Sequence, residues 1–165
     1  IGSEANYTEL AQTVGVDRNT ILSYINILEK GYVIFKLGSY SRNIRNEIKK
    51  SKKIYFYDTG IRNMIIGNFN QLDLRADKGG LWENFLITER MKQNSYKMTL
   101  AKSYFWRTTQ QQEIDYVEEV NGKLFGYELK WNSKRKVKLP KNFIEQYGAE
   151  EKVITRENFR DFIKI

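Results

Sequence analysis

Asp115 precedes, and Glu128 and Lys130 follow, the dipeptide Asn121-Gly122. That dipeptide lies between two strand-like runs, Glu113 to Val120 and Lys123 to Trp131. It is the strongest short-range signal for a two-residue type I′ hairpin, because both turn residues need positive φ. With Val120 facing Lys123, Asp115 falls directly opposite Glu128. Counting outward from the turn makes them a non-hydrogen-bonded pair, with Cβ atoms roughly 4.5–5.5 Å apart. Lys130, two residues beyond Glu128, points to the same face, and Ile114, Tyr116, Tyr127 and Leu129 make the opposite, packing face. Facing carboxylates repel unless a cation, a shared proton or solvent relieves them. Hard oxygen ligands suit Mg²⁺ or Mn²⁺, which polarises a phosphoryl oxygen and acidifies bound water, while a nearby ammonium stabilises developing charge. The trio therefore reads as a site for metal-assisted phosphodiester hydrolysis, with Asp115 and Glu128 as ligands and Lys130 as the catalytic cation. It reads also as solvent-facing charge on an exposed hairpin, since acid-x-Lys in a strand is a weak signal.

Elimination narrows the chemistry. The 165 residues include no histidine and no cysteine, which removes imidazole bases, Ser-His-Asp triads, HExxH and thiolate zinc sites, cysteine nucleophiles and disulfides. No GxxxxGK[ST] occurs, so the chain has no P-loop for ATP. Twenty-eight Lys and Arg against 20 Asp and Glu leave a net charge of +8, which favours polyanionic partners or acidic membrane surfaces. No apolar run approaches the ~20 residues of a membrane span and no signal peptide precedes the first helix. The expectation is a soluble, cytoplasmic chain without membrane association, and the initial Ile1 suggests a piece of a longer protein.

The elements that must position the hairpin fall into two groups. Tyr7, Leu10, Ala11 and Val14 recur at helical spacing, Gly15 breaks the run, and Asp17 can cap a second helix with Ile21, Leu22, Ile25 and Leu28 as its apolar stripe. Gly31 ends it, and Tyr32 to Leu37 reads as a strand turning at Gly38-Ser39. Together these suggest a winged helix-turn-helix over residues 1–50, in which Arg18, Asn19, Ser23 and Asn26 would approach a DNA groove. Residues 51–165 form the second predicted domain. It has a strand Ile54 to Tyr57, a helix capped by Asp58, and a polar loop closing at Gly79-Gly80. A helix from Leu81 to about Lys92, three strands, a helix after Pro140 and a strand near Lys152 to Thr155 complete an α/β plan. Arg42 and Arg45 in the basic run before Lys53, and Lys134, Arg135 and Lys136 just beyond the hairpin, are the expected phosphate contacts. Trp82 with Phe85 read as core, with single-strand stacking as the less favoured alternative.

Several blocks carry a resemblance. Lys53-Ile-Tyr-Phe-Tyr-Asp-Thr-Gly60, Gly80-Leu-Trp-Glu-Asn-Phe-Leu86, Phe105-Trp-Arg107, Glu113-Ile-Asp-Tyr-Val117 and Tyr127-Glu-Leu-Lys130 resemble the signature blocks of the DUF4143 region. That region forms the C-terminal part of bacterial and archaeal AAA-type ATP-binding proteins and is similar to the PD-(D/E)XK nuclease fold. The resemblance implies a restriction-endonuclease-like core, Glu83 as a further catalytic and metal-binding carboxylate beside Asp115, Glu128 and Lys130, and an upstream ATPase domain in the full-length protein. A nuclease-like scaffold can also serve as a catalytically inactive binding or regulatory domain.

Overall fold

The computed structural model describes residues 2, 4–42, 52–132 and 139–164. Helix α1 (Tyr7–Val14) starts where the Asn6 side chain accepts the Thr8 and Glu9 amides, and it stops at Gly15 in the left-handed region. Helix α2 (Arg18–Lys30) is capped by Asp17. Ala11, Ile21 and Ile25 bury their side chains against Ile34, so the helix pair packs on strand β1 (Ile34–Ser39). Next come β2 (Lys52–Phe56), α3 (Thr59–Ile65) capped by Asp58, a 3-10 turn at Leu72–Leu74, and the long helix α4 (Lys78–Tyr96). Strands β3 (Lys102–Arg107), β4 (Glu113–Val120) and β5 (Lys123–Leu129) precede α5 (Lys141–Tyr147), β6 (Glu150–Ile154) and α6 (Phe159–Ile163).

Among the described residues these strands form one mixed sheet in the order β2-β1-β3-β4-β5-β6. The β1–β3 and β5–β6 pairs are parallel and the others antiparallel. One face packs Tyr55, Phe105, Tyr116, Tyr127 and Leu129 against Trp82, Leu86 and Ile87 of α4 and Phe162 of α6. The other packs Trp106, Ile114, Val117 and Leu124 against Leu139, Phe143 and Ala149 around α5. Gly126 lets α5 approach, because a Cβ there would lie 3.0 Å from Leu139 Cδ2 and 3.2 Å from a Phe143 ring carbon.

The hairpin turn adopts the left-handed φ values of a type I′ turn, 51° at Asn121 and 76° at Gly122. The ladder pairs Val120 with Lys123 and continues to Tyr116 with Tyr127. One expectation is corrected: Ile114 and Tyr116 do not share a face. The β3–β4 register shifts between Tyr104–Val117 and Trp106–Ile114, so both Asp115 and Tyr116 stand opposite Phe105. This β-bulge inverts the alternation, sending Ile114 to the α5 side and Tyr116 to the α4 side.

Helix α4 is longer than its apolar period suggests. It begins at Lys78, so Gly79 and Gly80 lie inside its first turn, where amides have no intrahelical acceptor and glycine is tolerated. It continues to Tyr96 because Gln93 and Asn94 are buried and bonded, to the Lys164 carbonyl and to Glu118 respectively. Asn84 fixes its height on the sheet: the side-chain amide accepts the Phe56 N–H at 2.8 Å and donates to the Phe56 carbonyl at 2.7 Å, an edge-on reading of β2. The short helix α6 was not anticipated from the sequence pattern; Phe162 anchors it in the α4-side core.

Candidate functional site

The acidic site forms where β4 and β5 part. Beyond the Tyr116–Tyr127 pair, the Leu129 N–H donates to Asp115 Oδ2 at 2.8 Å, so a carboxylate takes a place in the hairpin's hydrogen bonding. The bulge at Asp115 and Tyr116 aims Asp115 across the strand plane towards β5 rather than into either core. The Lys130 ammonium lies 3.5 Å from Asp115 Oδ2 and 2.5 Å from Glu128 Oε1. One cation thus bridges the two carboxylates that the hairpin places side by side. Both carboxylates are mostly shielded from solvent, and Glu128 Oε2 is buried without a hydrogen-bond partner.

Glu83 stands on a neighbouring ion group. Its Oε1 accepts from the Tyr55 hydroxyl at 2.6 Å and lies 3.3 Å from the Lys53 ammonium, which also pairs with Glu113. Lys53 is 2% exposed and rests over the Phe105 ring, its ammonium 5.3 Å from the centroid. Arg107 extends the group, contacting Glu113 at 3.5 Å and Glu4 at 3.2 Å. The segment before α1 runs along the outer edge of β2, with Glu4 bridged to Lys53 and the Ala5 amide bonded to the Lys52 carbonyl. It lays Gly2 against the Glu83 carboxylate so closely that a Cβ would come within 2.8 Å of Oε1.

Burial pushes the Glu83 carboxyl above its ordinary range; Lys53 opposes the shift and the Asp115 charge adds to it. Burial and the facing Asp115 push Glu128 up as well, against the pull of Lys130. For both lysines burial favours the neutral form, but their carboxylate neighbours outweigh it and raise the ammonium pKa, so each stays charged at neutral pH. Burial drives the Tyr55 hydroxyl well above its ordinary value, with the Glu83 charge adding to the effect, which keeps it a donor.

The structure therefore brings Asp115, Glu128 and Lys130 together and sets Glu83 beside them, held by Lys53. Among the described residues no group of three or more carboxylates gathers in a way that could hold a metal ion. Lys53, Tyr55 and Glu113 are further members of this ion group that motif spacing does not single out. The signal was present: Lys53 and Tyr55 occupy the buried phase of β2, and a lysine in that phase demands a partner. Of the residues proposed to contact nucleic acid, Arg18 and Asn19 are exposed on the first turn of α2. Arg42 lies over the Tyr147 ring and donates to the Tyr147 carbonyl at 3.4 Å. Arg45, Lys134, Arg135 and Lys136 lie outside the described residues.

A second buried pair joins α4 to β4 away from this site. Arg90 spans both oxygens of Glu118 at 2.6–3.2 Å and donates to the Phe162 carbonyl at 2.9 Å.

Fold and site together define an α/β domain with a mixed sheet whose central hairpin carries a shielded carboxylate–lysine cluster. The chain belongs to the DUF4143 family, a domain of unknown function matched over residues 78–163. A second domain of unknown function, DUF8612, matches residues 1–72. Uncharacterized proteins of Mycobacterium bovis and Mycobacterium tuberculosis are each 31% identical to it over 127 residues, covering 76% of this chain and 28% of their own length. No solved structure matches the chain. Among the described residues no helix is long and apolar enough to cross a membrane.

Proposed function

We propose that this chain is the nuclease-like module of a longer, cytoplasmic ATPase, binding nucleic acid and hydrolysing phosphodiester bonds with Mg²⁺ or Mn²⁺. The carrying observation is the bridging of Asp115 and Glu128 by the single ammonium of Lys130, which makes one compact site from the three residues. The side chains suit a hard divalent ion, since Glu128 Oε2 is buried with an unused lone pair and Asp115 supplies a second oxygen donor beside it. Mg²⁺ commonly binds through one or two carboxylates, with water and substrate phosphate completing its shell. When bound, such an ion would polarise the phosphoryl oxygen and acidify the attacking water.

The protein's own groups have separate tasks in this reading. Asp115 and Glu128 hold the cation. Lys130, which pairs with both carboxylates, would supply positive charge to the oxygen on which negative charge develops. Glu83, near Asp115 and held by Tyr55 and Lys53, supplies a further carboxylate at the edge of the site. The winged-helix reading of α1, α2 and β1, with Arg18, Asn19 and Arg42 exposed, and the PD-(D/E)XK reading of the core belong to the same proposal. So do Arg45, Lys134, Arg135 and Lys136 as phosphate contacts, and coupling to an upstream ATPase.

Supercoiled and single-stranded DNA incubated with Mg²⁺ or Mn²⁺ tests it. Wild type should cleave, and Glu128→Gln and Lys130→Ala should each lose roughly 100-fold or more in rate. Absence of wild-type cleavage, or equal cleavage by the variants, would overturn the hydrolytic role. A second reading, a catalytically inactive binding or regulatory domain, is favoured by the commitment of Glu83 to Lys53. It predicts salt-sensitive DNA binding with no cleavage.

A further inference from the structure

The segment before α1 closes over Glu83 with few contacts to hold it. The Ala5 N–H donates to the Lys52 carbonyl at 2.8 Å, the Gly2 N–H reaches the Ile54 carbonyl only at 3.4 Å, and Glu4 forms an isolated bridge with Lys53. Glu4 also pairs with Arg107 at 3.2 Å, both side chains being about a third exposed. Gly2 brings no side chain to the contact. A hollow of about 330 Å³ is lined by Glu4, Ala5, Leu10, Ile54 and Phe56, so apolar packing beneath the segment is incomplete.

We propose that the segment carrying Gly2, Glu4 and Ala5 is a displaceable strap that shields the Glu83 carboxylate, with the Glu4–Arg107 pair as its latch. The inference rests on the proposed function only in treating Glu83 as part of the site, and it adds what controls access to that carboxylate.

Three observations carry it. The first is the approach of Gly2, where a Cβ would meet Glu83 Oε1 at 2.8 Å, Cδ at 3.1 Å and Oε2 at 3.2 Å, so the backbone there lies across the whole carboxylate. Gly2 does this at φ 70°, a conformation that glycine adopts without strain. The second is weak attachment: exposed ion pairs contribute little, and a segment with few buried apolar contacts opens locally at low cost. The third is the position of the latch in a chain of charges. Arg107 pairs with Glu4 and with Glu113, Glu113 pairs with Lys53, and Lys53 lies beside Glu83. When Glu4 leaves, Arg107 keeps Glu113 and Lys53 keeps both its carboxylates. The strap therefore lifts without dismantling the ion group beneath it, which gives the site a closed and an open arrangement.

The test couples glycine ethyl ester to carboxyl groups with a carbodiimide, in EDTA and without DNA, and maps the products by peptide mass spectrometry. Hydrogen exchange at the Ala5 amide reports the strap itself. In Glu4→Gln, both Glu83 coupling and Ala5 exchange should quicken roughly three- to fivefold, the scale of one exposed ion pair. In Gly2→Ala, where the added Cβ cannot fit beside Glu83, both should quicken roughly tenfold or more. Exchange at the Leu129 amide, bonded to Asp115, should stay at the wild-type rate in both variants. Glu4 lies at the surface, so its replacement spares the fold and protects the result if Gly2→Ala destabilises the chain. Faster Ala5 exchange with unchanged Glu83 coupling would show that the segment shields nothing, and unchanged Ala5 exchange in Glu4→Gln would show that the pair is no latch; either overturns the proposal. DNA cleavage by wild type tests the hydrolytic reading alone: its absence leaves the strap standing, and a failed coupling result leaves the hydrolytic reading standing.

Discussion

The Lys53 ammonium lies 3.3 Å from Glu83 Oε1 and also pairs with Glu113, in a position only 2% exposed. A lysine so buried is held by its carboxylates, and the carboxylates by it, because each charge left alone there would have lost its water without replacement. It joins β2 to α4 and β4 at the margin of the Asp115, Glu128 and Lys130 cluster.

Replacing Lys53 by Met should destabilise the chain by about 3–5 kcal/mol, since two shielded carboxylates would lose their shared cation. Adding Glu83→Gln should recover part of that loss. Urea unfolding of the two single variants and the double variant measures the coupling, and strictly additive effects would contradict the shared-cation account.

The bond from the Leu129 amide to Asp115 Oδ2 predicts a split between two substitutions at one position. Asp115→Asn keeps an acceptor oxygen and should cost less than about 1 kcal/mol, whereas Asp115→Leu should cost about 1–3 kcal/mol by leaving that amide unpaired. Hydrogen exchange at Leu129 should quicken in the Leu variant alone. Equal protection in both would show that the carboxylate is not the acceptor in solution.

Stability should depend on pH through Glu128. Its carboxyl is raised above the ordinary 4.5 by burial and by Asp115. A raised acid contributes stability that is fully present below its unfolded pKa and is lost as pH rises through its folded value. Glu128→Gln removes that loss, so the variant should be more stable than wild type at neutral pH by about 0.5–2 kcal/mol. The gain should shrink as pH falls towards 4.5. Thermal melts from pH 4.5 to 8 measure it, and a gain independent of pH would contradict the assignment to ionisation. The raised ammonium groups of Lys53 and Lys130 act in the alkaline range: their contribution is present below the ordinary lysine value and is lost as pH climbs through the raised one.

Arg90 should control the C-terminal helix. It grips buried Glu118 and donates to the Phe162 carbonyl, while Lys97 and Gln93 hold the Lys164 carbonyl from the same face of α4. Arg90→Met should cost about 3–5 kcal/mol by leaving the buried Glu118 charge without a cation, and the Arg90→Met, Glu118→Leu pair should recover most of it. Limited proteolysis should cut within α6 in the single variant before any other described helix. Cleavage elsewhere first would show that Arg90 does not anchor it.

Much of the hairpin could be read from sequence. Asn121-Gly122 admits the left-handed backbone of a two-residue turn, strand alternation follows from the pleat, and both are local rules acting over a few residues. They were enough to place Asp115, Glu128 and Lys130 near one another, and the strand Glu113–Val120 has the expected bounds. The caps at Asp17 and Asp58 were legible for the same reason. Alternation failed at one place, where the bulge put both Asp115 and Tyr116 opposite Phe105; a bulge belongs to the pairing of two strands and leaves no mark in either alone.

What tertiary structure decided lies farther apart in the chain. Asn84 docks α4 on β2 at Phe56, and that height brings Glu83 to Lys53 and Tyr55. The same docking sets Trp82 against Trp131 at the end of the hairpin. Sequence alone determined which charges the hairpin would carry side by side, because adjacency across a tight turn is dictated by backbone geometry. Only the packing of a helix on a distant strand decided which lysine Glu83 meets, because close packing, and not local propensity, sets that distance.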